Sequence, residues 1–166
     1  WTALDDGTRL LIETLQAHAL RDDDRVLDLG SGSGVLTLLA ARQAPEGYVV
    51  GVDADCRAVE ATRRTLAHNR VENAEAVLSD VTEALGERTF SAVVTNPPFH
   101  REQATNYVIG GQIIREAARH LERRGRLYLV ANAFLRYEPI LLEAFGNAEV
   151  LAENSRFKVW HAVQWH

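Results

Sequence analysis

The chain has 166 residues, 46% of them hydrophobic and 25% charged, which is typical of one globular domain with a substantial core rather than a disordered tail. No apolar run approaches the roughly 20 residues that span a bilayer, and no basic segment followed by an apolar core opens the sequence, so we expect a cytoplasmic protein with no membrane partner. The formal net charge of -5 argues against strong nonspecific binding to nucleic acid, because Lys and Arg provide most of that affinity by neutralising phosphates.

Helical and strand-like patterns alternate along the chain, with no internal repeat or linker-like stretch. In chain order we predict a helix over 8–20, a strand over 25–30, a helix over 33–43, a strand over 48–53, a helix over 56–69, strands over 74–80 and 90–95, a helix over 104–121, a strand over 126–132, a helix over 139–145, and strands over 148–154 and 157–163. This α/β alternation predicts one domain with a mainly parallel seven-stranded sheet and helices on both faces. The closing pair of strands indicates an antiparallel edge strand.

Polar features occupy the ends of four predicted strands. They are the glycine-rich segment Gly30–Gly34, Asp53, Asp80 and Asn96. Each one alone is explained by a turn or a helix cap. Because ligands of parallel sheets bind outside the carboxyl ends of the strands, the four together predict one binding site.

The segment DLGSGSG, which ends at Gly34, lets the backbone approach a ligand closely and opens a helix whose N-terminal amides favour negative charge. A dinucleotide fingerprint requires Gly or Ala where Val35 stands, and a Walker A loop requires a Gly-Lys-Ser/Thr triplet that the sequence lacks. With Asp28 before the glycines and Asp53 ending the next strand, the pattern instead resembles the class I S-adenosylmethionine-dependent methyltransferases. The resemblance implies their Rossmann-like fold and S-adenosyl-L-methionine as cofactor.

The same resemblance implies roles for individual residues. Asp53 would accept hydrogen bonds from both ribose hydroxyls, which suits a carboxylate with two acceptor oxygens. Asp80 would bind the adenine amino group with Val81 beside the ring, and Asp28 would lie near the methionyl end. Thr8 could also lie over the methionyl end, although helix capping explains it nearly as well. The other implied cofactor contacts are Gly30, Ser31, Gly32, Gly34, Ala54 and Asn96.

The motif TNPPFH follows the fourth predicted strand, and its two prolines fix the backbone direction there. The Asn96 side-chain oxygen and the Pro97 carbonyl form a candidate acceptor pair for the two N–H groups of an exocyclic amine, which would free the nitrogen lone pair for methyl transfer. Phe99 would stack on the base. The motif resembles the (Asn/Asp)-Pro-Pro-(Phe/Tyr/Trp) signature of methyltransferases that act on planar amino or amide nitrogens. The predicted catalytic residues are Asn96, Pro97 and Phe99, and the predicted substrate contacts are Pro98, Phe99 and His100.

Together with LDDGTRLLIETL and LVANAFLRYEPILLEAFG through RFKVWHA, this motif resembles the catalytic domain of the small-subunit ribosomal RNA guanine-N2 methyltransferases, the RsmC type. The resemblance implies methylation of a guanine N2 amine in 16S rRNA, with ribosomal RNA or the small subunit as substrate. Members of that family usually carry an additional N-terminal domain. Because the chain starts at Trp1 and contains no Met, we expect an excised or C-terminal half of a longer protein, lacking an RNA-recognition domain and binding RNA poorly.

Several readings stay open at this point. A protein glutamine methyltransferase would also suit the turn, although such enzymes typically carry Tyr where Phe99 stands, and a catalytically silent interaction module is a third possibility. His100 could contact the base or a phosphate, or cap the next helix. The arginines between Arg101 and Arg126 could face RNA, but a solvated helix face paired with glutamates is the better interpretation. The single cysteine and the histidines near the end lack metal-ligand spacing, so we expect no metal.

Overall fold

The computed structural model describes residues 4–98 and 103–166. Its elements in chain order are α1 (Asp6–Ala17), β1 (Arg25–Leu29), α2 (Val35–Gln43), β2 (Tyr48–Asp53), α3 (Cys56–His68), β3 (Ala74–Leu78), a short 3-10 turn (Glu83–Leu85), β4 (Phe90–Thr95), α4 (Gln103–His120), β5 (Leu121–Asn132), α5 (Glu138–Phe145), β6 (Glu149–Glu153) and β7 (Phe157–Val163). The seven strands form one sheet in the order β3-β2-β1-β4-β5-β7-β6.

The predicted mainly parallel sheet with an antiparallel edge is confirmed. Strands β1 to β5 pair in parallel. The last strand, β7, runs antiparallel to β5 on one side and to β6 on the other, which makes β6 the edge. The strand order changes direction at β1, so the carboxyl ends of β1 and β4 lie beside each other at the point where such sheets bind ligands.

Alternating side chains of the strands divide the core into two layers, one on each face of the sheet. On one face, strand residues such as Leu27 and Val93 pack with α4 and α5 through Ile114 and Leu141. On the other face, the strands pack with α1 and α2, for example through Leu11. This period-two alternation is what a sheet covered on both sides requires, and it confirms helices on both faces.

Three predicted element boundaries differ from the structure for tertiary reasons. Helix α1 ends at Ala17 instead of residue 20, because Leu20 is buried and its amide donates to the Gln43 side chain at 3.3 Å. Helix α2 begins at Val35 because Gly34 has a φ of +84°. Strand β5 begins directly after α4, and its register with β4 jumps by several residues before the regular, predicted part begins at Arg126.

The basic region of α4 and β5 is partly neutralised by acidic side chains. Arg119 pairs with Glu116 at 3.1 Å, as expected for a solvated helix face, whereas Glu122 pairs with Arg25 of β1 instead of with an α4 arginine. Arg101 lies outside the described residues. None of the helices in the described part of the chain combines the length and the apolar character that crossing a membrane requires.

Candidate functional site

A cavity of about 600 Å³ opens at the carboxyl ends of β1 to β4. The strand ends and the loops that follow them contribute most of its lining, the N-terminal end of α1 contributes the N-cap Asp5 and Thr8, and α4 contributes Gln112 and Ile113. The structure therefore brings the four strand-end features together, as the sequence predicts. The predicted site residues that line this cavity are Gly30, Ser31, Gly32, Asp53, Ala54, Asp80, Val81, Asn96 and Pro98.

The glycine-rich segment has two distinct kinds of glycine. Gly32 has a φ of +54°, and a Cβ built on it would have no neighbour within 4 Å, so it leaves open space beside the cavity. Gly34 does not line the cavity. A Cβ there would lie 2.9 Å from the Cα of Thr62, so a glycine is needed for the packing of α2 against α3. The structure thus gives Gly34 a packing role, and its contact with the cofactor stays a prediction.

Asp53 is held in a fixed orientation by backbone amides. Its Oδ2 accepts from the amide of Gly32 and its Oδ1 from the amide of Asp55, each at 3.0 Å. Each carboxylate oxygen has two lone pairs, so both oxygens keep acceptor capacity for a ligand. This arrangement suits a pair of adjacent hydroxyl groups.

Asp28 lies beneath the cavity instead of in its wall, since its side chain is fully buried in β1. Its Oδ2 accepts from the Thr37 hydroxyl at 2.6 Å, while its Oδ1 has no partner among the described residues. Burial raises the pKa of Asp28 from 3.8 to about 7; the hydrogen bonds from Thr37 oppose this rise, and the nearby charge of Asp53 adds to it. A buried carboxyl with an unpaired oxygen is a candidate acceptor for a cationic or donor group above it.

The end of β3 places two further predicted residues at the cavity. Asp80 is exposed there, and the next residue, Val81, has a φ of +47°. A left-handed backbone is rare for a β-branched residue, and such strained positions cluster at binding sites. The conformation turns the chain sharply after Asp80, where the carbonyl of Asp80 accepts from the amide of Glu83 at 3.0 Å.

Asn96 is oriented by the start of α1. Its Nδ2 donates to the Thr8 hydroxyl oxygen at 2.8 Å and to Asp5 Oδ1 at 3.2 Å. Its Oδ1 is buried and has no partner among the described residues. Partial burial by itself would raise the pKa of Asp5, but hydrogen bonds from Thr8 and Asn96 outweigh that effect and lower it, so the carboxyl is ionised at neutral pH. The site therefore presents one fixed, unused acceptor at the end of β4.

A second cavity of about 470 Å³ lies on the other side of the Asn-Pro-Pro turn. Pro97 is buried and lines this cavity only, whereas Asn96, Pro98 and Asp5 line both. The turn thus forms the wall between two cavities. The remaining lining residues of the second cavity are Asp6, Asn132, Arg156 and Phe157.

Two predicted site residues fall outside the described part of the chain, and the structure adds site residues that the sequence does not indicate. Phe99 and His100 lie outside the described residues. Asp5 precedes the first predicted helix, and nothing in the sequence signals its contact with Asn96, which is 91 positions away. The cavity residues of α4 carry no motif either.

The structure shows no metal centre in the part of the chain that it describes. Within residues 4–98 and 103–166, no group of three His, Cys, Asp or Glu side chains could hold an ion. His161 lies in β7, 3.6 Å from Glu149 and beside the ring of Tyr128. Its position is that of an ordinary strand residue.

Comparison with known proteins agrees with this geometry. The family model of the methyltransferase small domain matches residues 1–161. The chain belongs to this family. Solved structures of low identity show the same fold, as in a ribosomal protein L11 methylase from Lactobacillus delbrueckii with 17% identity and a TM-score of 0.77, covering 95% of this chain and 79% of that one.

More similar relatives of this methyltransferase small domain carry ribosomal names. Ribosomal RNA small subunit methyltransferase C of Cronobacter sakazakii is 44% identical over 160 residues, and that of Escherichia coli K12 is 43% identical; each match covers 96% of this chain and 45% of the relative. The T. thermophilus 16S rRNA N2 G1207 methyltransferase (RsmC), solved with AdoMet and guanosine, is 38% identical with a TM-score of 0.89, covering 98% of this chain and 44% of that one. The chain thus spans about half the length of the curated relatives it matches.

Proposed function

We propose that the chain transfers a methyl group from S-adenosyl-L-methionine to the exocyclic N2 amine of a guanine in the 16S rRNA of the small ribosomal subunit. The observation that carries the proposal is the buried, unpaired Oδ1 of Asn96 at the wall between two cavities. The names of the relatives support the ribosomal substrate. Because the substrate is ribosomal, the reaction belongs in the cytoplasm.

The first cavity suits the proposed cofactor, which supplies a methyl group on a positively charged sulfur. Asp53, with both oxygens fixed by backbone amides, would hold the two ribose hydroxyls. Asp80, exposed at the cavity, would accept from the adenine amino group beside Val81. The open Cβ direction of Gly32 leaves room for the ligand, and the orphaned Oδ1 of Asp28 supplies an acceptor beneath the glycine-rich segment.

The Asn-Pro-Pro turn would activate the amine by accepting its hydrogens. The guanine N2 lone pair is delocalised into the base, which makes it a poor nucleophile. The Oδ1 of Asn96 and the carbonyl of Pro97 would accept the two N–H groups and favour a pyramidal nitrogen whose lone pair points at the methyl group. No ionised general base is needed, because the amine loses its proton after transfer, when the nitrogen carries positive charge.

The second cavity would hold the base. Its residues Asn96 and Pro98 also line the first cavity, so an amine bound there would reach the wall that the two cavities share. Phe99 would stack on the base and His100 would lie near it, as the motif predicts. Orienting the two reactants in this way is itself a large part of the rate enhancement in group transfer.

The proposal is tested by supplying the protein with labelled S-adenosylmethionine and three acceptors: unmodified 30S particles, naked 16S rRNA and release factors. We expect label on rRNA, recovered after nuclease digestion as N2-methylguanosine, and labelling at least about 100-fold slower with an Asn96→Ala control. Label on a glutamine of a release factor would favour the amide alternative instead. Cofactor binding by calorimetry without label on any acceptor would indicate the silent interaction module.

A further inference from the structure

We infer that Asp5 is a positioning residue for the methyl transfer: its carboxylate fixes the orientation of the Asn96 amide, so that Oδ1 and not Nδ2 faces the substrate amine. The inference rests on the proposed function of Asn96 as the acceptor. Asp5 lines both cavities and contacts Asn96 directly. Nothing in the sequence motif assigns it a role beyond the start of a helix.

The directions of the hydrogen bonds carry the argument. Thr8 has one hydroxyl proton, which it donates to Asp5 Oδ2 at 2.6 Å. Its oxygen can therefore only accept from Asn96, whose Nδ2 lies 2.8 Å away. The second N–H of that amide donates to Asp5 Oδ1 at 3.2 Å. An ionised carboxylate can only accept hydrogen bonds, so Asp5 sets the direction of each hydrogen bond among Asp5, Thr8 and Asn96.

The opposite orientation of the amide is unfavourable for the same reason. Rotating the Asn96 amide by 180° would place its oxygen against the Asp5 carboxylate and against a Thr8 oxygen whose proton is already committed. Two facing acceptors repel, and no proton is available to join them. The acceptor orientation of Asn96 is therefore imposed from α1, across 91 positions of sequence.

A purely structural role for Asp5 must be separated from this one, because Asp5 is also the N-cap of α1. Its Oδ1 accepts from the amide of Thr8 at 3.0 Å. Asn caps helices about as well as Asp does. The variant Asp5→Asn therefore keeps the capping oxygen, which also faces Asn96 Nδ2, but replaces the anionic Oδ2 by an NH₂ group that donates to Thr8. The Thr8 proton is then free to donate to the oxygen of a rotated Asn96 amide, and no negative charge opposes that rotation.

The first measurement is steady-state kinetics of Asp5→Asn with labelled S-adenosylmethionine and unmodified 30S particles. We expect kcat to fall by about 10- to 100-fold, because a misoriented acceptor loses much of the stabilisation that a positioned group supplies. We expect the KM for the particles and the calorimetric Kd for the cofactor to stay within about two-fold of wild type. The melting temperature should stay within about two degrees. The matched control is Asp55→Asn, the same change at the N-cap of α3, where the capping oxygen accepts from Arg57 and does not line the cavity.

The second measurement follows the amide itself and needs no activity. In ¹⁵N-labelled protein, the side-chain NH₂ signals of Asn96 are assigned by their loss in Asn96→Ala. We expect them to exchange slowly in wild type and in Asp55→Asn, and to shift and exchange faster in Asp5→Asn. Unchanged signals in Asp5→Asn would overturn the inference, even if the wild type methylated none of the acceptors and the proposed function had failed.

A reciprocal exchange gives the sharpest discrimination. Asn96→Asp alone places two carboxylates about a hydrogen-bond length apart, where like charges repel. Combining it with Asp5→Asn removes one of the two charges, so that one amide and one carboxylate again face each other, with their places exchanged. We expect the kcat of the double variant to be at least about five-fold higher than that of Asn96→Asp alone. An additive loss in the double variant, with kcat unaffected by Asp5→Asn, would show that Asp5 only caps the helix.

Discussion

Asp28→Asn tests whether the buried carboxyl under the glycine-rich segment resists ionisation. In the unfolded chain this carboxyl ionises near pH 3.8, whereas in the folded protein burial keeps it protonated up to about pH 7. Between these values the folded state binds the extra proton, so a rise in pH costs folding free energy. The amide of the variant cannot ionise, and its oxygen can still accept from Thr37.

The magnitude follows from the shift of the pKa. Each pH unit between the two values is worth about 1.36 kcal/mol, and pH 5 to 7 spans two such units. The free energy of unfolding of Asp28→Asn, relative to wild type, should therefore rise by about 2 kcal/mol from pH 5 to pH 7, with a slope that falls near pH 7, and then level off. The unpaired atom at this position changes the free energy of unfolding by the same amount at each pH, so its effect cancels in the comparison.

Urea denaturation at pH 5, 6, 7 and 8, without ligand, measures this difference. Asp55→Asn is the control, because hydrogen bonds from Arg57 lower the pKa of that exposed carboxyl and leave it ionised in both states over the whole range. The difference in free energy of unfolding between Asp55→Asn and wild type should therefore not change with pH. A flat difference for Asp28→Asn as well, or one that shrinks with rising pH, would refute the reasoning.

Asn96→Ala should lower kcat by about 100- to 1,000-fold with cofactor affinity unchanged, because its oxygen acts only on the amine; calorimetry showing lost S-adenosylmethionine binding would contradict that role. Asp53→Ala should weaken cofactor binding at least about ten-fold, since charge-assisted hydrogen bonds contribute about 1.5–3 kcal/mol each, and tighter binding of NAD than of S-adenosylmethionine would exclude the assigned ligand. Gly34→Ala should lower stability by about 2 kcal/mol or more, since it combines a φ of +84° with a 2.9 Å approach to Thr62. Gly32→Ala, with open space at its Cβ, should lose less stability and more cofactor affinity; identical urea midpoints for the two variants would disprove the distinction.

The sequence predicts the sheet side of the site well because that part depends on local patterns. Strands that alternate with helices must run mostly parallel, and their carboxyl ends must share an edge. The placement of Asp53, Asp80 and Asn96 around one cavity follows from this rule and from the three strand ends alone.

The contribution of the helices to the site could not be predicted in the same way. The contact of Asp5 with Asn96 depends on how α1 packs across β4, and the position of Gln112 depends on how α4 crosses the sheet. No periodic pattern of residues in the sequence indicates either of these packing arrangements. The same is true of Gly34, whose motif indicates ligand binding although its neighbour is Thr62 of α3.

The position of β7 between β5 and β6 has a consequence for synthesis. Strand β6 is made before β7, yet β7 is its only sheet neighbour among the described residues, and the edge of β5 from Arg126 to Asn132 also pairs with β7. A nascent chain halted before Phe157 would therefore lose two strands of the sheet, although only one is missing from its sequence. It would expose the apolar segment LYLVA along an open backbone edge, which is a template for aggregation.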